Sequence, residues 1–149
     1  EVYTQDDYDS TNGGGNWRAL VDLVAVENIV GTIGNEILRG DAADNVIDGY
    51  TGSDIITGRG GNDTFVFGSY NGIFTGEAHI TDFSTDDAEK IDLSQLASIT
   101  DFTDLITNHV MEYGGVLLIN SGSGAIYLDG YTMADIGVGH AIGEADFLF

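Results

Sequence analysis

A nine-residue period is the feature that most constrains the fold of this chain. In the segment GTIGNEILRGDAADNVIDGYTGSDIITGRGGNDTFV, a glycine recurs every nine residues, and a large apolar residue follows each glycine at position eight of its unit. The glycines are Gly31, Gly40, Gly49 and Gly58, and the apolar residues are Leu38, Ile47, Ile56 and Phe65. A period of nine matches neither the 3.6-residue turn of a helix nor the two-residue repeat of a strand. It indicates a unit made of one short strand and one turn.

Units of this kind predict a flattened coil. A strand of three or four residues and a turn of five or six reverse the chain, so two units complete one coil and strands two units apart stack in parallel at about 4.8 Å. The apolar residues then fill a thin core between two sheets. Because turns alternate between the edges of the coil, units starting at Gly31 and Gly49 share one edge, and those at Gly40 and Gly58 share the other. Ile29, nine residues before Leu38, indicates a partial unit ahead of the complete ones.

Each unit carries an acidic or amide residue at position six, two residues before its apolar residue. These residues are Glu36, Asn45, Asp54 and Asp63. We expect glycine at position one and glycine or alanine at position four to permit backbone angles that turn carbonyl groups toward one point. Carbonyl and carboxylate oxygens together form the cage that Ca²⁺ prefers, with six to eight ligands at about 2.3–2.6 Å, whereas Mg²⁺ requires a tighter octahedron. The pattern therefore predicts calcium ions between turns that lie two units apart.

The charge of the chain supports a dependence on cations. Its 25 acidic and 4 basic residues give a formal net charge of −21. Such a chain repels nucleic acid and anionic lipid, so neither is an expected partner. No apolar run approaches the roughly 18 residues of a membrane helix, so no membrane insertion is expected. The chain also repels itself, and a metal-free solenoid would leave its acidic turns unneutralised.

Beyond Phe67 the period stops, but the pattern stays typical of β-structure. Short apolar runs such as HITDF, KIDLS, GVLLIN and AIYLDG are separated by glycine-rich turns, and LSQLASITDFTDLITNHV has room for one or two helical turns. The fold prediction is an all-β chain, a parallel β-roll capped by a β-sandwich-like C-terminal layer. We divide it into an N-terminal segment (1–25, mostly loop over its first twenty residues), the roll (26–68) and the C-terminal cap (69–149).

The unit GRGGNDTFV agrees with the pattern GGxGxDxUx at every restricted position except the second, which is Arg59. On these residues the repeats resemble the RTX calcium-binding β-roll. The later phrases DTFVF, ITDF and EKIDLS resemble the passage that follows the last repeat in serralysin-type proteases and other secreted RTX enzymes. The resemblance implies that calcium ligands also come from backbone carbonyls at positions two and four, with Asp82 closing the last site. Those carbonyls belong to Thr32, Gly34, Asp41, Ala43, Tyr50, Gly52, Arg59 and Gly61. We expect the Arg59 side chain to point outward.

The same resemblance implies export by type I secretion machinery from a Gram-negative bacterium. In the family, an acidic residue followed by large apolar residues at the C-terminus belongs to an uncleaved export signal. The corresponding residues are Asp146, Phe147, Leu148 and Phe149. Since the chain starts at Glu1 without a basic and then apolar leader, we interpret it as the C-terminal part of a larger secreted protein with a covalently attached upstream domain.

No catalytic function is expected. HExxH, GxSxG and a glycine loop ending in GK[ST] do not occur, and His79, His109 and His140 show no ligand spacing. The alternative is a calcium-dependent carbohydrate-binding module, because RTX modules attached to alginate-modifying epimerases have a similar arrangement. Alginate is a polyanion, so calcium would have to bridge carboxylates on both sides, given that the only cationic side chains are Arg18, Arg39, Arg59 and Lys90. A neutral glycan would instead stack on aromatic rings, for which the candidates are Trp17, Tyr50, Tyr70, Tyr127 and Tyr131.

Overall fold

The computed structural model describes residues 2–5, 17–21, 27–86 and 88–149, and most of the regular secondary structure in them is β-strand. In chain order the strands are β1 (Val2–Gln5), β2 (Trp17–Val21), β3 (Asn28–Val30), β4 (Glu36–Arg39), β5 (Val46–Asp48), β6 (Gly52–Thr57), β7 (Thr64–Val66), β8 (Gly76–Ile80), β9 (Lys90–Asp92), β10 (Val110–Tyr113), β11 (Val116–Asn120), β12 (Gly124–Leu128) and β13 (Phe147–Leu148).

Two sheets face each other across a thin core. One has the strand order β10-β11-β12-β8-β6-β4-β1-β2 and the other β13-β9-β7-β5-β3. Successive strands of the repeat alternate between the sheets, and β4–β6, β3–β5 and β5–β7 are parallel pairs. The prediction of an all-β parallel roll is confirmed.

The position-eight residues form the core in register. In the five-stranded sheet, Ile47 pairs with Ile29 on one side and Phe65 on the other, and in the eight-stranded sheet Leu38 pairs with Ile56. All five side chains are buried. Since burying such a side chain contributes about 1.5–3 kcal/mol, the nine-residue period is the spacing of the core.

The sheets continue past the end of the period. In one sheet β8 pairs in parallel with β6, and β12 pairs in parallel with β8. In the other sheet β9 pairs in parallel with β7, and β13 pairs in parallel with β9. Ile80 and Leu128 extend one row of core residues, and Ile91 and Phe147 extend the other. The C-terminal layer is therefore built onto the roll through the same two sheets, although its loops no longer keep a constant length.

The start of the chain differs from the loop that the sequence predicted. Val2–Gln5 and Trp17–Val21 are strands that pair with each other in antiparallel fashion, and β1 also pairs with β4. The reason is tertiary: β4, the first strand of the repeat in this sheet, would otherwise present unpaired N–H and C=O groups, which the hairpin of β1 and β2 satisfies.

The predicted helical turns occur at 102–109. Asp101 caps a single turn over Phe102–Asp104 by accepting a hydrogen bond from the Asp104 N–H at 2.8 Å, and the turn continues as a π-helical segment over Leu105–His109. Phe102 and Leu105 face the core. Within the described ranges, none of the helices has the length and apolar character needed to cross a membrane.

Candidate calcium sites

The turns of the repeat stack into two columns, one on each edge of the roll. We name the stack of turns 31–36 and 49–54 edge A, and the stack of turns 40–45, 58–63 and 81–89 (of which 81–86 and 88–89 are described) edge B. On edge A the Thr51 N–H donates to the Thr32 carbonyl at 3.3 Å, and on edge B the Gly60 N–H donates to the Asp41 carbonyl at 3.2 Å. Turns two units apart are thus neighbours, as the alternation of the units predicted.

The position-six side chains lie inside these columns. Glu36, Asn45, Asp54 and Asp63 are all buried, with at most 2% of each residue exposed. Asp54 Oδ1 accepts a hydrogen bond from the Glu36 N–H at 2.9 Å, and Asp63 Oδ1 accepts one from the Asn45 N–H at 2.8 Å. Each aspartate therefore joins its own turn to the turn eighteen residues earlier.

The second carboxylate oxygens of Asp54 and Asp63 are the clearest sign of a cation site. Both Oδ2 atoms are buried, and neither has a hydrogen-bond partner among the described residues. Burial raises the pKa of Asp54 to about 7 and also raises the pKa of Asp63, with nearby carboxylates adding to both effects. A buried anionic oxygen without a donor is unfavourable, and a hard cation removes the penalty. These residues fit calcium.

The other two position-six side chains are satisfied within their own turns. The Glu36 carboxylate accepts from the Thr32 N–H at 3.1 Å and from the Thr32 hydroxyl. Asn45 Oδ1 accepts from the Asp41 N–H at 2.8 Å. An ion bound here would share oxygens that already hold the turn in shape, since an oxygen with two lone pairs can serve both partners.

The position-one glycines are required for space. A Cβ on Gly58 would lie 2.3 Å from Asp63 Oδ2, one on Gly49 would lie 2.8 Å from Asp54 Oδ2, and Gly40 is equally crowded. These glycines do not have positive φ, so the expectation of special backbone angles at position one is wrong. The missing side chain instead lets the acidic group of the same unit lie over the backbone.

Left-handed backbone occurs at positions two and four, but only in the last two units. Gly52 and Gly61 have φ of 114° and 106°, and Tyr50 and Arg59 have φ of 68° and 77°. The expectation for position four therefore holds for Gly52 and Gly61 and is wrong for Gly34 and Ala43, which lie outside this region. Tyr50 and Arg59 occupy a conformation that costs a non-glycine residue about 1–2 kcal/mol.

Four of the eight predicted carbonyl ligands lie between neighbouring turns of an edge. The Thr32 and Asp41 carbonyls point to the next turn of their edge, where they accept the hydrogen bonds described above. The Gly34 carbonyl approaches Gly52 so closely that a Cβ there would lie 1.7 Å from its oxygen, and the Ala43 carbonyl approaches Gly61 similarly. The Arg59 side chain is exposed, as expected. Its positive charge therefore does not enter the column.

Asp82 lies in the third turn of edge B, where the roll meets the C-terminal region. Its Oδ1 accepts from the Gly58 N–H at 2.9 Å and its Oδ2 from the Arg59 N–H at 2.8 Å. It is also one of the charges that raise the pKa of Asp63. The carboxylate thus faces the turn in which the last repeat begins.

Glu89 is a member of the edge B column that the sequence analysis missed. It is fully buried, and its Oε2 accepts from the Ser84 N–H at 2.7 Å. Because Lys90 pairs with Thr64, Glu89 follows Asp63 in the column. It was missed because it comes 26 residues after Asp63, whereas Asp63 follows Asn45 by 18. The available signal was local: EKID repeats the order of acid, spacer and apolar residue found in DTFV.

On edge A the acidic column ends at Asp54. The residues in register with Asp54 on the next two strands are Ala78 and Ile126, both buried and apolar. Across the described part of the chain, no three acidic or histidine side chains lie close enough together to hold a metal ion by themselves. The oxygens available at these edges are backbone carbonyls, the Asn45 amide and carboxylates, which is a donor set that Ca²⁺ accepts.

The four residues predicted as an export signal lie at the opposite end of the five-stranded sheet from β3. Phe147 is buried against Phe102, with ring centroids 5.8 Å apart, and the Leu148 carbonyl accepts from the Leu93 N–H at 2.9 Å. Asp146 accepts from the Gly143 N–H at 2.8 Å, while Leu148 and Phe149 are about 40% exposed. The segment is the last strand of the folded chain.

Comparison with known proteins agrees with this geometry. Residues 30–65 match the family model of the RTX calcium-binding nonapeptide repeat, in four copies. No curated protein matches the chain. The chain therefore contains an RTX repeat segment, which is a calcium-binding motif and which coincides with both turns of edge A and the first two turns of edge B.

Proposed function

We propose that this chain is the non-catalytic, calcium-binding C-terminal domain of a larger secreted RTX protein. The observation that carries the proposal is the pair of buried aspartates, Asp54 and Asp63, whose Oδ2 atoms lack a hydrogen-bond partner in the described structure and lie inside RTX repeat turns.

Each edge would have its own set of side-chain ligands for calcium. On edge A, Glu36 and Asp54 would supply carboxylate oxygens, and on edge B Asp63 and Asp82 would do so together with the amide of Asn45. The position-two and position-four carbonyls would complete each site. Bound calcium supplies positive charge to turns that otherwise place negative groups next to each other.

Calcium binding would then be coupled to folding. The net charge of −21 opposes a compact state, and extracellular calcium modules bind at about 10⁻⁴–10⁻³ M. With calcium at roughly a hundred times the dissociation constant, each site adds about 2.7 kcal/mol to the stability of the folded chain. Two or more sites at about that value would decide whether the domain folds, so it would stay unfolded in calcium-poor cytosol and fold outside the cell.

The proposed export route follows from the C-terminal segment. Passage through type I secretion machinery of a Gram-negative bacterium requires an accessible signal, whereas Phe147 is buried in the folded chain. The export-competent chain would thus be the calcium-free one. Deleting residues 146–149 should abolish secretion of the full-length protein, and undiminished secretion would contradict the signal assignment.

The test of calcium-coupled folding is a titration followed by circular dichroism. β-structure should appear with millimolar Ca²⁺, disappear with a chelator and respond much less to Mg²⁺. The matched control is the double variant Asp54→Asn, Asp63→Asn, which retains the shape of both side chains and should lose most of the response. A calcium-independent β-spectrum in the wild-type chain would overturn the proposal.

A second candidate function, calcium-dependent carbohydrate binding, is favoured by one observation. Tyr50 in edge A packs edge-to-face on Tyr70, with centroids 5.2 Å apart, and Tyr70 is 45% exposed. Such a pair beside the proposed calcium site offers an aromatic surface on which a sugar ring could stack. Tyr127 stacks instead on His79, and the Tyr131 hydroxyl donates to the Phe83 carbonyl. Side-chain contacts of Trp17 lie outside the described structure.

Calorimetric titration with neutral glycans and alginate oligomers in calcium buffer, using Tyr70→Ala as control, would detect carbohydrate binding.

A further inference from the structure

The fifth residue of the repeat unit connects the turns through bonds that need no metal. On edge A, Asn35 Oδ1 accepts a hydrogen bond from the Ser53 N–H at 2.9 Å. On edge B, Asp44 Oδ1 accepts from the Asn62 N–H at 2.7 Å, and Asn62 Oδ1 accepts from the Ala88 N–H at 3.2 Å. In each case the donor lies in the next turn of the same edge. We call these three bonds the position-five ladder.

Two of the three rungs act on a peptide group that also carries a candidate calcium ligand. The Ser53 N–H belongs to the same peptide group as the Gly52 carbonyl, and the Asn62 N–H to the same group as the Gly61 carbonyl. These groups are planar and trans, so the N–H and C=O point in opposite directions. A bond that holds the N–H toward the preceding turn therefore directs the carbonyl away from it.

Orientation matters at these two positions because the backbone there is unusual. Gly52 and Gly61 have positive φ, a region in which glycine has wide freedom. Without an anchor, their carbonyls would sample several directions in the unfolded or ion-free chain. The ladder removes that freedom as the turns stack, which reduces the cost of holding the ligands in the folded chain.

We propose that Asp44 is a positioning residue for calcium on edge B, which orients the Gly61 carbonyl toward the turn that carries Asp82 and Glu89. The inference rests on the proposed calcium-binding function and adds a residue that supplies no ligand itself. The Asp44 side chain is exposed, so shortening it creates no cavity. The group that the proposal requires is its acceptor oxygen.

Asp44 allows a matched test of the acceptor. Asp44→Asn keeps the oxygen and removes the charge, whereas Asp44→Ala removes both. Calorimetric calcium titration should show about a fivefold weaker affinity for Asp44→Ala, which corresponds to about 1 kcal/mol for one hydrogen bond. Asp44→Asn should stay within about twofold of the wild type, because an exposed charge is screened by salt. Equal losses in the two variants, or no loss in either, would overturn the inference.

Edge specificity separates positioning from a general loss of stability. Asn35→Ala is the matched control, because the Gly52 carbonyl lies against Gly76, where a Cβ would come within 1.8 Å of its oxygen, and no acidic residue follows Asp54 on that edge. Asn35→Ala should leave calcium affinity unchanged, whereas Asp44→Ala should weaken it. A general destabilisation would instead lower the melting temperature in saturating calcium without this selectivity, and that result would contradict the proposal. A wild-type chain that binds no calcium would refute the proposed function itself, an outcome that is visible before any variant is compared.

Discussion

Edge A and edge B are built from the same nine-residue unit, yet they join the C-terminal region in different ways. On edge A the turn 49–54 leads into ordinary sheet pairing: the Gly52 N–H donates to the Thr75 carbonyl at 3.0 Å, and the next residues in register with Asp54 are apolar. On edge B the third turn is held by side chains, through Asp82, Asn62 and the buried Glu89.

This difference shows where a cation contributes most to stability. Edge A can form its junction with main-chain hydrogen bonds alone, which are independent of calcium. Edge B brings Asp82 and Glu89 into the column that already contains Asp63, so repulsion between carboxylates accumulates there. We therefore expect the junction on edge B to be the most calcium-dependent part of the fold.

The largest effect is expected from a substitution at Gly52 of edge A. A Cβ there would lie 1.7 Å from the Gly34 carbonyl oxygen, and φ is 114°. Gly52→Ala should reduce the free energy of unfolding by about 3 kcal/mol or more, measured by urea denaturation in saturating calcium. Gly34→Ala is the control, because a Cβ at Gly34 meets only side-chain atoms at 3.1 Å or beyond. Similar losses in the two variants would contradict the stacking of these turns.

The comparison between the edges is tested directly by Asp63→Asn and Asp54→Asn. Both variants keep an oxygen for the hydrogen bond to the preceding turn and lose one charge. Each should weaken calcium binding at its own edge on the order of tenfold, and Asp63→Asn should raise the calcium midpoint of folding further than Asp54→Asn does. Calorimetry measures the calcium affinity, and circular dichroism measures the calcium concentration at the midpoint of folding. The reverse order would show that edge A, rather than edge B, dominates the calcium dependence.

Acidification should replace part of the calcium requirement on edge A. Burial raises the pKa of Asp54 to about 7 in the folded chain, compared with 3.8 for the unperturbed group. Between these values the folded chain binds a proton that the unfolded chain lacks, so calcium-free stability should increase as the pH falls from 8 toward 4. Calcium affinity should decrease over the same range, because the ion requires the ionised carboxylate.

The fraction of folded chain in a chelator, followed by circular dichroism from pH 8 to pH 4, measures this effect. Asp54→Asn should flatten the profile on the alkaline side, since the amide does not titrate. The pKa of Asp63 is raised in the same direction, so a residual slope from edge B should remain in that variant. A wild-type profile that is flat from pH 5 to pH 8 would contradict the burial of both groups.

A smaller change should follow from Asn45→Asp on edge B. Asn45 is the only uncharged member of the four position-six residues, and it is 2% exposed. The aspartate should strengthen calcium binding by roughly threefold to tenfold through the added ligand charge and should lower stability in a chelator. Asn45→Ser, which lacks the extra charge, is the control. An unchanged affinity in Asn45→Asp would place the edge B ion away from this turn.

The smallest effect is expected at position two. Arg59 is exposed and has φ of 77°, so Arg59→Gly should relieve strain and stabilise the chain by about 0.5–1 kcal/mol after the entropy of glycine is subtracted. Tyr50→Gly on edge A should gain less, because it also loses the contact with Tyr70. Chemical denaturation in calcium compares the two, and an equal or larger gain for Tyr50→Gly would show that the Tyr50–Tyr70 contact contributes nothing.

Much of the roll was predictable because a repeat encodes its own contacts. If Leu38 stacks on Ile56, then Ile47 stacks on Phe65 by the same rule, and the turns alternate between edges without further information. The same spacing also predicts that the side-chain oxygens of the position-six residues lie in the two edge columns. The conformation within the turns was less predictable. Gly58 is glycine because Asp63 lies over it, whereas Gly61 is glycine because its backbone is left-handed, and both residues look alike in sequence.

The sequence by itself determined the two-sheet coil, its core row, its two acidic edges and the chemistry of a calcium site, since all of these depend on contacts between residues at a constant separation. Only the tertiary structure decided which residues are neighbours across strands at three places. Glu89 lies next to Asp63 in the edge B column, Ala78 lies next to Asp54 on edge A, and β1 covers the edge of β4. In those places the connecting loops vary in length, and no local pattern specifies which strand is the neighbour. Packing of the whole core selects the register.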